Sequence, residues 1–154
     1  MKCSRAVLVI HGGAGTVARS QLDAPREQRY RDALQRILGA GQALLASGAS
    51  ALDIVTEAVR QLEDCPLFNA GRGAVYTADG SHELDACVMD GATLGAGAVA
   101  GVRRLRNPVL AARAVMAASG HVLMVGDGAE RFALAHGAQA APPDWFATPE
   151  RFAQ

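Results

Sequence analysis

Two helix-period stretches stand back to back between residues 25 and 64, with no strand-like segment between them. Tyr30, Leu34, Ile37, Gly41 and Leu44 recur at steps of three and four, which puts them on one face of an amphipathic helix. This spacing predicts a helix from Pro25 to Ser47, stopped by Gly48. Ser50 and Asp53, in the pattern S-x-x-D, make a capping-box-like start for a second helix. Leu52, Val55, Val59 and Leu62 line one of its faces, and Cys65-Pro66 ends it. Only the β-branched run Ala6–Ile10 precedes the pair, and it reads as a buried strand.

This order bears on the glycine loop that follows the first strand, His11-Gly-Gly-Ala-Gly15. Gly13-x-Gly15-x-x-Ala18 formally matches a dinucleotide fingerprint. That motif must open directly into a helix whose N-terminus meets the pyrophosphate, whereas Thr16 to Ala24 intervene here. It also needs an acidic residue closing a second strand about 20 positions on, a region that is helix in this chain. The loop is similar to the His-Gly-Gly oxyanion loops of α/β-hydrolases too, but no serine sits in the G-x-S-x-G elbow those enzymes require. A nucleotide-binding α/β module using the Gly12–Gly15 loop stays as the rival reading.

Past residue 73, Ala74–Thr77 and His82–Met89 are expected as strands around the turn Ala78-Asp79-Gly80-Ser81. Ala96–Val102, small and glycine-bearing, is expected as a central strand under close packing. Asn107 and Pro108 read as an N-cap and first helical residue of a helix that runs to Ser119 and stops at Gly120. His121–Val125 is a further strand. Asp127-Gly-Ala-Glu130 reads as a capping box opening a short helix that ends at Gly137. Residues 138–154 are expected to be a linker, marked by Pro142-Pro143, and a truncated helix start. There Thr148 is the cap, Pro149 the first position and Glu150 the acidic first turn. One turn cannot hold itself, so either the tail is disordered or the chain stopping at Gln154 is one piece of a longer precursor, and the second is the expectation.

Composition narrows the function classes. Acidic and basic residues balance at 15 each, leaving no net field for nucleic acid or an anionic membrane. The cluster Arg103-Arg104-Leu105-Arg106 is expected to be a solvated strand end. Lys2 is the only lysine, which with the many Ala and Gly hints at a GC-rich bacterial genome. Cys3, Cys65 and Cys87, odd in number and widely spaced, fit a reducing cytoplasm rather than a disulfide framework. No ligand-spaced His or Cys pair suggests zinc. Ala6–Ile10 is too short for a signal-peptide core, and no apolar run approaches the roughly 20 residues a membrane span needs. Asp85 and Asp90, an odd number apart in a strand, are expected on opposite faces rather than as a catalytic pair. Cys87 is expected as a small core residue. His82 and His121 lead into strands and are satisfied by solvent or a carbonyl.

The stretch from Leu62 to Gly73, L-E-D-C-P-L-F-N-A-G-R-G, is the most unusual. Leu67 and Phe68 are apolar anchors in a loop with helix-breaking neighbours, a composition that suits a shaped functional loop or an Ω-loop equally. With E-L-D-A-C-V-M-D-G, A-G-A-V-A-G-V…N-P-V-L-A-A-R and the early H-G-G-A-G, it closely resembles the plant-type asparaginase/isoaspartyl peptidases, which are N-terminal nucleophile hydrolases. The resemblance runs from Val7 to about Phe152. It implies an α+β protein of the four-layer αββα sandwich type, and a precursor that cleaves itself ahead of a threonine. The hydroxyl of that threonine attacks an isoaspartyl bond or the side-chain amide of L-asparagine, and its freed amino group is the base.

No threonine here opens a G-T-V-G-like segment; Gly15-Thr16-Val17 comes closest but is followed by Ala18. By resemblance, residues 1–154 are therefore the α half of a domain completed by a separate β chain in an (αβ)2 assembly. The nucleophile, oxyanion donors and substrate groups would lie on the β chain. The resemblance implies no cofactor beyond a structural sodium ion. Its ligands would be main-chain carbonyls of Leu62, Glu63, Cys65, Phe68, Ala70 and Arg72, with the Glu63 and Asp64 side chains turned away. Arg72 departs from the apolar residue expected there. Asn69 is implied to support the nucleophile, and His11, Gly12, Gly13 and Gly15 to pack near the cleavage site.

Overall fold

The computed structural model describes residues 6–13, 22–142 and 144–153. The helical pair is present: α1 spans Ala24–Ala46 and α2 spans Ala51–Asp64. Asp23 caps α1, its carboxylate accepting the Arg26 N–H at 2.7 Å, and Ser50 caps α2 through the Asp53 N–H at 3.1 Å. β1 (Leu84–Met89), β2 (Ala96–Val102), α3 (Pro108–Ala118), β3 (Leu123–Val125), α4 (Gly126–Ala135) and α5 (Pro149–Phe152) follow. The chain is α+β.

The sheet has the order β1-β2-β3, with β1 antiparallel and β3 parallel to β2. α3 is the crossover that a parallel pair requires. It lies so near β2 that a Cβ on Gly97 would strike the Ala112 carbonyl and Met116, the close packing its small residues predict. Between Leu84 and Ala86 the register shifts by one residue, and the Asp85 carboxylate accepts the Gly101 N–H there at 2.8 Å.

One core joins the sheet to α3 and α4 through Leu84, Val99, Val102, Leu105, Val115 and Phe146. A second joins α1, α2 and the following loop through Ala33, Ile37, Ala58, Leu62 and Phe68.

Several expectations are corrected. Ala6–Ile10 forms no strand, and Val7 and Val9 are 82% and 81% exposed; Leu8 and Ile10 alone turn inward, Leu8 onto Gly41 of α1. Ala74–Thr77 is not a strand, although the turn beside it exists, with the Thr77 N–H donating to the Ser81 carbonyl at 2.9 Å. On α2 the buried face is Ile54, Ala58 and Leu62, whereas Val55 is exposed. Cys87 is exposed rather than core, because α3 and α4 cover only the other face of the sheet. The residues on its side, Met89, Leu123 and Val125, are 56%, 54% and 60% exposed.

The basic cluster is the solvated strand end expected, just past β2 with Arg103 and Arg104 exposed, and it is also paired: Arg103 with Glu83, Arg104 with Glu130 and Asp127, and Arg106 with Asp64. Glu130 does not close a capping box. Its buried carboxylate instead accepts the backbone N–H groups of Arg103 and Arg104 at 2.5 and 2.8 Å, where the chain leaves β2 with amides that no strand satisfies.

Residues 138–142 and 144–153 pack on this body. The Arg106 N–H donates to Gln139 and the Ala141 N–H to Arg104, Phe146 and Thr148 are buried, and Thr148 caps α5 as its sequence predicts.

Candidate functional site

α2 releases the chain through Cys65, whose backbone is already extended, into Pro66. The loop that follows is anchored by Phe68. That ring is buried and meets Tyr30 of α1 edge-on at 5.8 Å. Its other neighbour is the early glycine loop: a Cβ on Gly12 would stand 2.6 Å from Phe68 Cε1. The His11–Gly13 segment and the Leu67–Gly73 loop are thus one packed surface, with the Gly13 N–H reaching His11 Nδ1 at 3.4 Å. Gly15 lies outside the described residues.

Two glycines let the loop close on its own carbonyls. Gly71 has φ +50, a conformation L side chains rarely adopt, and any Cβ there would collide with the Glu63 carbonyl group. A Cβ on Gly73 would strike the Phe68 carbonyl and stand 2.6 Å from Pro66 O. Oxygens of Glu63, Pro66 and Phe68 therefore turn toward the Gly71–Gly73 turn. Leu62 O accepts from Cys65 N at 3.2 Å, Cys65 O from Phe68 N at 3.5 Å, Phe68 O from Ala70 N at 2.8 Å and Ala70 O from Gly73 N at 3.2 Å. Each carbonyl has two lone pairs, so one amide partner leaves a second direction open. Uncharged main-chain oxygens gathered by glycine suit a hard cation of low charge. Among the described residues no group of three or more His, Cys, Asp or Glu could hold a metal.

The side chains around the loop have separate tasks. Glu63 is 3% exposed and accepts the Val109 N–H of α3 at 2.9 Å. Burial pushes its carboxyl up to about 7, against the pull of that hydrogen bond and of the Asn107 side chain beside it. Asp64 accepts from Arg60 at 2.6 Å and from Asn107 Nδ2 at 3.2 Å. Asn69 is exposed, and its Oδ1 accepts the Val75 N–H at 3.0 Å. Arg72 directs its guanidinium over the Trp145 ring. Arg151 of α5 donates Nε to Gly73 O at 2.7 Å and Nη2 to Leu67 O at 3.3 Å.

Three of these features escape sequence reading. Asn107 makes no side-chain cap; it faces Asp64 while Glu63 caps α3 in its place. The available signal is the place of Glu63 beside Leu62 on the buried face of α2. The Arg72–Trp145 and Arg151–loop contacts join residues far apart in sequence and carry no local signal.

The other sequence candidates do not converge. Asp90 closes its own turn through Ala92 N–H and Thr93 Oγ1, both at 2.9 Å, while Asp85 serves the β2 irregularity. His82 Nδ1 lies 3.3 Å from Val75 O. For the nucleotide reading, the geometry is unfavourable. The space beside Gly12 is filled by Phe68, and the N-terminus of α1 is occupied by the Asp23 carboxylate. No described helix is long and apolar enough to cross a membrane.

The sequence profile of the family described as Asparaginase (Asparaginase_2) matches residues 4–154. An "Isoaspartyl peptidase" of Salmonella typhimurium (strain LT2) is 63% identical over 151 residues, 98% of this chain and 48% of the relative. The protein of the same name from Escherichia coli K12 is 61% identical over 150 residues, 97% and 47% respectively. A "Plant-type L-asparaginase" of Thermococcus kodakarensis is 47% identical over 128 residues, 83% and 40%. The chain spans about half the length of the curated relatives it matches.

Proposed function

The chain belongs to the asparaginase family, and on that premise we propose that it is the α subunit of an isoaspartyl peptidase/L-asparaginase. The assembled enzyme hydrolyses isoaspartyl dipeptides and the side-chain amide of L-asparagine in the cytoplasm. The observation that carries this reading is the 63% identity to a protein named isoaspartyl peptidase across 98% of the chain. A likeness of that extent includes the Leu62–Gly73 loop as well as the helices.

The catalytic group is a threonine at the start of the β subunit, made when a common precursor cleaves itself. Its hydroxyl attacks the amide carbon and its α-amino group takes the proton, so one residue is both nucleophile and base. The β subunit supplies the second sheet of an αββα sandwich and the (αβ)2 contacts. The uncovered sheet face at Cys87, Met89, Leu123 and Val125 supports this, because an apolar sheet face needs a second layer.

In this assembly the α subunit shapes the wall beside the threonine. Asn69 orients it, and the His11–Gly13 surface packs near the cleavage point. The carbonyls of Leu62, Glu63, Cys65, Phe68, Ala70 and Arg72 hold a sodium ion. A bound ion would offset the mutual repulsion of the turned-in carbonyl oxygens and stiffen the loop, with no part in bond breaking. The crowding of the Glu63 and Phe68 carbonyls against Gly71 and Gly73 supports these two of the six ligands.

The test is expression of the full gene. A threonine-led segment downstream, a precursor that separates into two chains, and release of ammonia from asparagine or aspartate from an isoaspartyl dipeptide are expected. Absence of such a threonine removes the reading.

A further inference from the structure

We propose that Glu63 is a positioning residue whose side chain, seated on α3, fixes the main-chain oxygens of the Leu62–Arg72 loop for the cation. This rests on the cation reading above and adds to it a role for a side chain.

Glu63 faces two ways. It is the last residue but one of α2, in the terminal turn where carbonyls lack helical partners. Its carbonyl group packs against Gly71, closely enough that no Cβ fits there. Its carboxylate points the opposite way, to Val109 N–H at 2.9 Å in the first turn of α3. Backbone and side chain of one residue therefore join the loop to a neighbouring helix.

The joint is built from both sides. Asn107, the sequence cap of α3, makes no capping bond. Its Nδ2 lies 3.2 Å from Asp64 Oδ1 and 3.5 Å from Arg60 O, tying α3 back to the last turns of α2. Glu63 fills the cap that Asn107 leaves. Arg113, one helical turn further along, donates to Thr56 at 3.1 Å and to Asp53 at 2.8 Å. The two helices are thus fixed along their length, and the end of α2 has little freedom to rotate. Glu63 Oε2 is buried without a hydrogen-bond partner among the described residues. A buried polar oxygen left in this way is costly.

This arrangement makes a specific claim about order. Carbonyls held in place before the ion arrives bind it more tightly than carbonyls that must be gathered, because the ordering cost is already met. Removing the Glu63 bond should therefore weaken sodium binding, beyond any general loss of stability.

The experiment uses the mature enzyme processed from the full precursor. The melting temperature is followed against sodium chloride, with choline chloride holding ionic strength constant. Wild type, Glu63→Gln, Glu63→Asp and Glu63→Ala are compared by the sodium concentration giving half of the stabilisation. Gln keeps an acceptor of the same reach and is expected within twofold of wild type. Asp, one methylene short of Val109, and Ala are expected to raise that concentration at least fivefold; Asp serves where Ala does not mature. Variants that lower the melting temperature equally at all sodium concentrations overturn the proposal and leave the cation reading intact. A Gln variant that behaves like Ala also overturns it, by showing that charge rather than position matters. No sodium-specific rise in the wild type overturns the cation reading itself and this proposal with it.

Discussion

The guanidinium of Arg72 lies over the indole of Trp145, 5.0 Å from the ring centroid. Arg72 stands where the family resemblance implies an apolar residue, and this contact shows where its charge goes. The side chain leaves the loop and reaches the segment after Pro142, where Arg106 also stands over Trp145, at 4.3 Å. The main chain of Arg72 stays in the loop while the cation sits on an aromatic face. Arg72→Leu in the full-length protein is expected to cost about 0.5–1 kcal/mol, the worth of one partly exposed cation–π contact. Trp145→Leu removes both contacts and is expected to cost more. Urea midpoints check this, and an Arg72→Leu protein as stable as wild type would show the contact to be idle.

Gly73→Ala is expected to be far more damaging than its size suggests. The added methyl has no room beside the Phe68 and Pro66 carbonyl oxygens, which are backbone and cannot swing aside. Overpacking of this kind costs about 1–3 kcal/mol. Gly39→Ala is the control. That site is an exposed position within α1 with nothing within 4 Å, and alanine there is expected to stabilise by about 0.5–1 kcal/mol. Thermal melts of the two variants should move in opposite directions.

The helices are legible in the sequence because their signals are local. Asp23, Ser50 and Thr148 each sit one residue ahead of a helix and bond into its first turn. The strands are legible only where the chain itself provides a partner. Ala96–Val102 has α3 on one face and two strands beside it. Ala6–Ile10 is richer in β-branched residues, but no described strand lies beside it to accept its backbone groups. Capping boxes mislead where a distant group competes. Asn107 and Glu130 are correct residue types for a cap, yet Asp64 and the turn at Arg103-Arg104 claim them. Spacing along the chain carries no information about such partners.

Glu130 gives a pH signature. Burial favours its neutral form, but the N–H groups of Arg103 and Arg104 and the Arg104 guanidinium outweigh that and hold the carboxyl below its ordinary value of 4.5. A depressed folded pKa means that the unfolded chain binds the proton first. The stability this group contributes is therefore complete above the unfolded value and lost as pH falls through the folded one. Glu130→Gln is expected to cost about 2 kcal/mol near neutral pH. Its unfolding midpoint should also decline less steeply than that of wild type in acid. Parallel declines would show that Glu130 does not contribute to acid sensitivity.

Asn69→Ala is expected to lower turnover on the order of 100-fold, through loss of the geometry around the nucleophile. The structural contact is modest: Oδ1 accepts one N–H, from Val75, at 3.0 Å. The melting temperature should therefore change little. Asn69→Asp keeps that acceptor and separates the two roles. If the side chain only closes the loop, Asp restores activity as well as stability. If its amide nitrogen faces the threonine, Asp preserves stability and leaves turnover low. Wild-type processing and kinetics in the Ala variant would reduce Asn69 to a loop cap.

The chain produced alone, without the proposed β subunit, is expected to behave as an incomplete layer. α3 and α4 cover one side of the sheet. On the other side Met89, Leu123 and Val125 are 56%, 54% and 60% exposed, and Cys87 stands beside them in the pairing β1-β2-β3. Val7 and Val9 add two more exposed β-branched residues near the start of the chain. Contiguous apolar surface of this kind drives association, and unpaired strand edges give it a template. Residues 1–154 alone should bind a hydrophobic dye, sediment as a mixture of sizes and melt without a sharp transition. Co-expression with the downstream half of the gene should abolish the dye signal and give one discrete assembly. A monomeric chain with a cooperative melt and no dye binding would mean that the uncovered face needs no second sheet, and would remove the structural support for the sandwich.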